Sequence, residues 1–142
     1  MSPRWKPNKD VRTGRHVVYN LHARLVFVTT YRRGVLTEAM LDRCEEIMRE
    51  VCADFEAELR EFNGEHDHVQ LLVHCPPKAA LPRLVNSLKS VSSRRLRQEF
   101  EPHVRRYLWG GRFWSGSYLA ASCGKAPLTL VKQYIRQQQR PT

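Results

Sequence analysis

The order in which strand-like and helix-like patterns follow one another is the feature that most constrains the fold of this chain. Residues 16–30 are rich in β-branched and aromatic side chains, which is typical of a long strand. Residues 38–54 then carry apolar side chains at helical spacing, and Thr37 is a suitable N-cap for that helix. This succession predicts a helix packed on one face of a sheet.

A pair of strands is predicted after this helix. Residues 55–61 alternate between apolar and charged side chains, as a half-buried strand does. Asn63–Gly64 is a strong signal for a hairpin turn, so the strand that begins near Glu65 is expected to fold back on the preceding one. We therefore predict an antiparallel hairpin that turns at these two residues.

The remaining chain adds a helix, a strand and a last helix. Residues 80–100 show an amphipathic helical pattern, residues 112–125 resemble a strand, and Pro127 suits the first turn of a helix over residues 127–139. The order strand, helix, strand, strand, helix, strand is the split βαβ pattern of an α+β, ferredoxin-like (RRM-like) domain. Two helices are expected on one face of its sheet, and the last helix on the open face.

Length and composition predict one domain, residues 1–142, whose residues 1–14 form a flexible basic arm. The chain has no run of about 18 apolar residues and no apolar leader at its start, so a cytoplasmic protein is expected. The cysteines form no C-x-x-C pair, which indicates neither a zinc ribbon nor a disulfide framework. All four are expected to be buried thiols: Cys44, Cys52, Cys75 and Cys123.

The charge of the chain is unevenly distributed. Of 14 acidic residues, ten lie within residues 37–65, so the rest of the chain carries 21 of the 24 basic residues and four acids. With a net charge of +10, this segregation predicts an acidic side and a basic surface suited to a polyanion, most simply a nucleic acid. The alternative interpretation is a generic basic surface without a partner.

Two histidines, His66 and His68, stand one residue apart at the start of the alternating segment GEHDHVQLLVHCPP, residues 64–77. Side chains in a strand alternate between faces, so both histidines are expected on the open face, about 7 Å apart, where they could bind a divalent metal. The alternative is two exposed histidines with no role. The face toward the helices is expected to hold Asp67, Val69, Leu71, Val73 and Cys75.

The last helix contributes two further candidates, Tyr134 and Gln138, which are four residues apart and share one helical face. A phenol offers a nucleophile and an amide oxygen offers a metal ligand. The alternative is that Tyr134 only extends the apolar stripe of the helix. Imidazole ligands suit transition metals, whereas amide oxygen and phosphate suit magnesium or manganese, so the metal stays open on these residues.

Taken together, these motifs resemble the single-tyrosine HUH transposases of small insertion sequences that move as single-stranded DNA. The resemblance covers nearly the whole chain, through LVFVTTYRRGVL, GEHDHVQLLVHCPP, LVNSLKSVSSRRLRQEF, FWSGSYLAASCG and VKQYIRQQ. It implies that His66 and His68 are the metal-binding pair, Gln138 the third metal ligand and Tyr134 the attacking tyrosine.

The resemblance also implies a reaction and its partners. The enzyme would be a metal-dependent DNA strand transferase, with Mg²⁺ or Mn²⁺ and no nucleotide cofactor, that cleaves and rejoins single-stranded DNA at hairpin-marked element ends through a 5′-phosphotyrosine. Members of the family are homodimers in which the tyrosine helix of one subunit can complete the other's metal site. The alternatives are a non-catalytic nucleic-acid-binding module, a host-domesticated HUH nuclease acting on repeated genomic hairpins, and a replication or relaxase-type nickase.

Candidate contacts to the DNA are basic residues spread over the chain outside the acidic segment. Such cations suit phosphate contacts, although any one of them could equally be a solvated surface charge. The candidates are Arg12, Arg15, Arg32, Arg33, Lys89, Arg94, Arg95, Arg97, Arg105, Arg106 and Arg112.

Overall fold

The computed structural model describes residues 13–14, 17–18, 21–75, 81–108, 111–122 and 128–138. Its strands are β1 (Thr13–Gly14), β2 (Val17–Val18), β3 (Leu21–Val28), β4 (Glu58–Glu65), β5 (His68–Cys75) and β6 (Leu119–Ser122). Its helices are α1 (Glu38–Asp54), α2 (Leu81–Glu99), α3 (Glu101–Tyr107) and α4 (Leu128–Gln137), with a short 3-10 helix at Thr30–Arg32.

The main sheet has four antiparallel strands in the order β4-β5-β3-β6. The two strands that are joined through α1, β3 and β4, are separated by β5, which is the arrangement of a split βαβ unit. The predicted α+β, ferredoxin-like fold is therefore confirmed. Of the described helices, none is long and apolar enough to cross a membrane.

Helices α1 and α2 cover one face of the sheet, as predicted. The side chain of Thr37 accepts a hydrogen bond from the backbone N–H of Met40 at 3.1 Å, so the expected N-cap starts α1. The core between α1, α2 and the sheet includes Val69, Leu71 and Val73 of β5. Three of the four cysteines are buried free thiols, and Cys123 lies outside the described residues; the three are Cys44, Cys52 and Cys75.

The long strand predicted over residues 16–30 is wrong in its extent. Val17–Val18 pairs with Thr13–Gly14 in a separate two-stranded ribbon, and the main strand runs from Leu21 to Val28. Tyr31 and Arg32, just beyond it, have φ angles of 56° and 58°, a left-handed conformation that ends any strand. Apart from Thr13–Gly14, the arm predicted over residues 1–14 lies outside the described residues.

The predicted hairpin turn at Asn63–Gly64 is also wrong. Both residues lie inside β4, and the turn is formed by His66 and Asp67, so that Glu65 pairs with His68. Gly64 has a packing role instead, because a Cβ placed there would lie 2.6 Å from Cδ2 of Leu41 on α1. The glycine therefore leaves room for the Leu41 side chain on the strand, and it forms no turn.

The second half of the chain follows the prediction more loosely. The helix predicted over residues 80–100 is α2, but it is followed by the unpredicted α3, and the strand predicted over residues 112–125 is reduced to β6. Helix α4 lies on the second face of the sheet, where Val131 is buried with Val26 and Val28 of β3. The last helix thus covers the face of the sheet opposite α1 and α2, as predicted.

Candidate active site at the end of the central strands

His68 begins β5 and pairs with Val28, the last residue of β3. Since Val69 lies in the core under the helices, alternation puts the His68 side chain on the face that carries α4. The imidazole is buried, with 5% of its surface exposed, and its Nδ1 lies 2.8 Å from Oδ1 of Asp67. One ring nitrogen of His68 is therefore held by a carboxylate.

Asp67 does not face the helices as predicted, because it belongs to the hairpin turn. Its second carboxylate oxygen accepts a hydrogen bond from Nε of Arg32 at 3.1 Å, and its carbonyl oxygen accepts one from the backbone N–H of Thr29 at 3.0 Å. Burial tends to raise the pKa of Asp67, but the hydrogen bond from His68, the neighbouring imidazoles and Arg32 together lower it below the ordinary value. The ionised carboxylate favours the His68 tautomer with the proton on Nδ1, which leaves the Nε2 lone pair for a ligand.

His66 lies in the turn, is exposed, and is not part of either strand. Its ring packs against Gly34, where a Cβ would lie 2.6 Å from Cδ2 of the ring. Among the described residues, the candidate metal ligands that group within 4.8 Å of one another are those of Glu65, His66 and Asp67. His68 is not in that group, so the ligand atoms of the two histidines do not converge in this structure. The prediction that both lie on the open face of the strand is wrong for His66, because the strand begins only at His68.

Tyr134 lies half-buried on α4, beside the apolar cluster of Val26, Val28 and Val131. Its hydroxyl is 2.9 Å from the hydroxyl of Ser117, and either can be the donor. Burial raises the pKa of Tyr134 above its ordinary value, and the hydrogen bond with Ser117 opposes this effect. The phenol is therefore protonated at neutral pH in this state.

Gln138 follows the last turn of α4 and borders an open cleft of about 460 Å³. The hydroxyl of Ser115 donates a hydrogen bond to Oε1 of Gln138 at 2.8 Å. The cleft is lined by Thr30, Tyr31, Gly111, Arg112, Ser115, Gly116, Gln137 and Gln138. The amide oxygen thus faces Ser115, and the side chain of Gln138 borders a polar cleft.

Val28 lies between His68 and Ser115, the residue that contacts Gln138. On one side it pairs with His68, and on the other its carbonyl oxygen accepts a hydrogen bond from the backbone N–H of Ser115 at 2.7 Å. Neighbouring strands are about 4.8 Å apart, so the backbones of His68 and Ser115 stand about 10 Å apart across Val28. The fold therefore brings Tyr134, Gln138 and His68 to one end of the sheet, with His66 on the adjoining turn.

The residues at this end suit a divalent cation. His68 has one nitrogen fixed by a carboxylate, which is the usual support of a metal-binding imidazole. His66 and the Asp67 carboxylate lie in the adjoining turn, the Glu65 carboxylate ends β4 beside them, and Gln138 offers an oriented amide oxygen. The oxygen donors in this set suit Mg²⁺ or Mn²⁺, and the imidazoles suit Mn²⁺ or another first-row transition metal.

The basic residues proposed as DNA contacts fall into two groups. Some are engaged within the protein: Arg32 with Asp67, Arg95 with Glu50, Arg105 with Glu101, Arg97 with the carbonyls of Leu108 and Gly111, and Lys89 with the carbonyl of Ser115. Others are exposed and form no ion pair within the described part of the chain: Arg33, Arg94, Arg106 and Arg112. Arg12 and Arg15 lie outside the described residues.

Sequence reasoning did not identify Asp67, Ser115 and Ser117 as parts of this site. Strand alternation predicts Asp67 on the core face, although an acid between two histidines is itself a signal for a ligand-orienting group. The serines carry no comparable signal, because their contacts depend on how α4 docks against the loop before β6.

Comparison with known proteins places this arrangement in a family. The family described as transposase, IS200-like, matches residues 17–138. The ISDra2 transposase TnpA of Deinococcus radiodurans is 31% identical over 129 residues, which cover 91% of each chain. The transposase of insertion sequence element IS200 from Salmonella typhimurium is 26% identical over 129 residues, 91% of this chain and 84% of that one.

Solved structures agree with the sequence comparison. A crystal structure from Deinococcus radiodurans, of a protein assigned as a transposase, superposes with a TM-score of 0.80 and 32% identity, over 92% of this chain and 99% of that one. A REP-associated tyrosine transposase bound to a REP hairpin has a TM-score of 0.50 and 8% identity, over 87% and 67% of the two chains, and so shares the fold alone. From the family match and these relatives, the chain belongs to the IS200-like transposases.

Proposed function

We propose that this transposase cleaves and rejoins single-stranded DNA at hairpin-marked element ends through a 5′-phosphotyrosine. The observation that carries the proposal is the position of Tyr134 and Gln138, which are docked at the end of the sheet where His68 lies. Family membership supports strand transfer on DNA. The roles of individual residues are inferred from the chemistry of their side chains.

His66, His68 and Gln138 would hold a divalent metal, Mg²⁺ or Mn²⁺. When bound there, the cation supplies positive charge that polarises the scissile phosphate and stabilises the charge that develops on it. Asp67 keeps the Nδ1 proton on His68 and so leaves Nε2 available. No nucleotide cofactor is needed, because each step exchanges one phosphodiester bond for another.

Tyr134 would be the nucleophile. Its Oη forms a bond to phosphorus as the bond to the leaving 3′ oxygen breaks, the phenol loses its proton, and the 3′ oxygen gains one to become a free hydroxyl. The 3′-OH of another strand reverses the step and releases Tyr134. Burial raises the pKa of this phenol in the DNA-free state, so the tyrosine is protonated there and must lose its proton during the attack.

The partners follow from charge and from relatives. Arg94, Arg106 and Arg112 are exposed cations suited to DNA phosphates, and the structural relative bound to a REP hairpin supports hairpin DNA as the ligand. We infer a homodimer in which α4 of one subunit can serve the other's metal site. The protein would act in the cytoplasm, on the nucleoid.

A phosphotyrosine-trapping experiment tests the nucleophile. Labelled single-stranded DNA from the flanks of the gene is incubated with protein and Mg²⁺, and the covalent adduct is measured. Tyr134→Phe should fold and bind hairpins but form no adduct, because it removes the attacking oxygen and little volume. Tyr107→Phe, at an exposed tyrosine on α3, is the matched control and should form the adduct normally. An adduct that persists in Tyr134→Phe and maps to another tyrosine would exclude the assignment.

Removal of the metal ligands tests the rest of the site. His66→Ala and His68→Ala should abolish cleavage while hairpin binding remains, because they remove ligands and leave the basic surface intact. Gln138→Ala should act in the same direction less completely, since water can replace an amide oxygen. Full cleavage by the double histidine variant, or by wild type with EDTA, would contradict the metal site.

A further inference from the structure

The loop before β6 contacts both proposed functional residues of α4. The hydroxyl of Ser115 donates to Oε1 of Gln138 at 2.8 Å, and the hydroxyl of Ser117 is 2.9 Å from that of Tyr134. We propose that Ser115 and Ser117 are positioning residues, Ser115 for the metal-binding oxygen of Gln138 and Ser117 for the attacking oxygen of Tyr134. This inference rests on the proposed function.

Ser115 determines which end of the Gln138 amide faces the site. A hydroxyl can donate to the amide oxygen, and that oxygen has a second lone pair which stays available for a cation. If the amide rotated by 180°, its NH₂ group would occupy that position and repel a cation. Ser115 therefore supports a metal ligand in the same way that a second residue usually orients a metal-binding side chain.

Ser117 acts on the other functional atom. Its hydroxyl lies on an exposed part of the loop, 2.9 Å from the phenol oxygen of the half-buried Tyr134. When the phenol loses its proton during attack, the Ser117 hydroxyl can donate to the oxygen and stabilise its charge. The same hydrogen bond limits the rotation of the ring and so keeps the oxygen in one place before the reaction.

The loop that carries the two serines is anchored from two directions. Nζ of Lys89 on α2 donates to the carbonyl oxygen of Ser115 at 2.8 Å and reaches that of Ser117 at 3.5 Å. The backbone N–H of Ser115 donates to Val28 on β3 at 2.7 Å. Lys89 therefore holds the carbonyl oxygens of the two serines, while their hydroxyls contact α4. In this way the loop connects α2 to α4, the helix that carries Tyr134.

The two serines are distinguished by different measurements. In the hairpin complex, Ser115→Ala should weaken Mn²⁺ binding by about 10- to 100-fold. Mn²⁺ binding is measured by electron paramagnetic resonance. Ser117→Ala should leave Mn²⁺ affinity unchanged and slow single-turnover adduct formation at saturating metal and DNA on the order of tenfold. Ser117→Thr, which keeps the hydroxyl, should restore the rate, and Lys89→Met should show both defects.

Controls separate positioning from folding. Ser90→Ala changes an exposed serine of α2 and should match wild type in every measurement. Equal losses of thermal stability, hairpin affinity and cleavage in Ser115→Ala and Ser117→Ala would show a merely structural role and overturn the proposal. Wild-type behaviour of both variants would also overturn it. If Tyr134→Phe still forms the adduct, the proposed function fails first, and the inference falls with it.

Discussion

At the scale of single residues, the site depends on close approaches that leave little freedom to its side chains. Asp67 holds His68 through one oxygen and Arg32 through the other, so a single carboxylate connects the turn to the segment after β3. Gly34 in that same segment lies under the ring of His66. Both histidines are therefore constrained by the stretch that follows β3.

Replacing Gly34 tests this constraint. In Gly34→Ala the new Cβ would lie 2.6 Å from Cδ2 of His66, so the ring must move. We expect cleavage to fall on the order of tenfold to a hundredfold, with hairpin affinity unchanged. The control is Ser90→Ala, an equally small change at an exposed serine of α2. Unchanged cleavage by Gly34→Ala would mean that the position of His66 is unimportant.

At the scale of elements, the sequence predicted correctly those features that depend on residues close together in the chain. The N-cap of α1 at Thr37 and the bounds of that helix follow from capping and periodicity. Asn63–Gly64 misled the prediction because Gly64 lies inside β4 beneath the Leu41 side chain, a contact that only the packed fold creates. In the same way, Tyr134 and Gln138 could be selected as candidates from sequence, whereas their serine partners could not.

The contact between α1 and α2 gives a prediction about acid stability. Arg43 donates to Glu99 at 2.7 Å, and this bond, which outweighs the effect of burial, lowers the pKa of Glu99 below its ordinary value. A lowered folded-state pKa stabilises the fold above the unfolded value of about 4.3, and the benefit disappears as the pH falls through the folded value. Glu99→Gln should therefore destabilise the protein at pH 7, with a difference from wild type that shrinks as the pH falls below about 4.3.

Chemical unfolding across pH 3 to 7 measures this difference. Glu56→Gln, at an exposed acid without an ion pair in the described part of the chain, is the control. A difference between Glu99→Gln and wild type that stays constant over the whole pH range would show that the ion pair with Arg43 does not contribute.

At the scale of the whole molecule, exposed acidic side chains are concentrated on α1. Helix α1 presents Asp42, Glu45, Glu46 and Glu50, and its arginines are paired with acids. The exposed cations without an acidic partner lie elsewhere among the described residues, as Arg94, Arg106 and Arg112 do. DNA is therefore expected on the side away from the acidic surface of α1.

The salt dependence of hairpin affinity tests whether DNA binds through these cations. Hairpin affinity should fall steeply between 50 and 200 mM salt, and each phosphate contact should contribute about one unit to the slope of log affinity against log salt. Arg112→Gln should lower that slope by about one, and Arg49→Gln on the acidic side should leave it unchanged. Affinity that is independent of salt would exclude a surface that binds phosphates.

The two-residue turn between β4 and β5 has a consequence for how relatives can diverge. Glu65 pairs directly with His68, so the turn contains only His66 and Asp67. Adding or deleting one residue would shift β5 by one position and move His68 from the face of α4 to the face of the core. The turn is therefore constrained in its length as well as in its residues, and we expect insertions and deletions among active relatives to occur elsewhere in the chain.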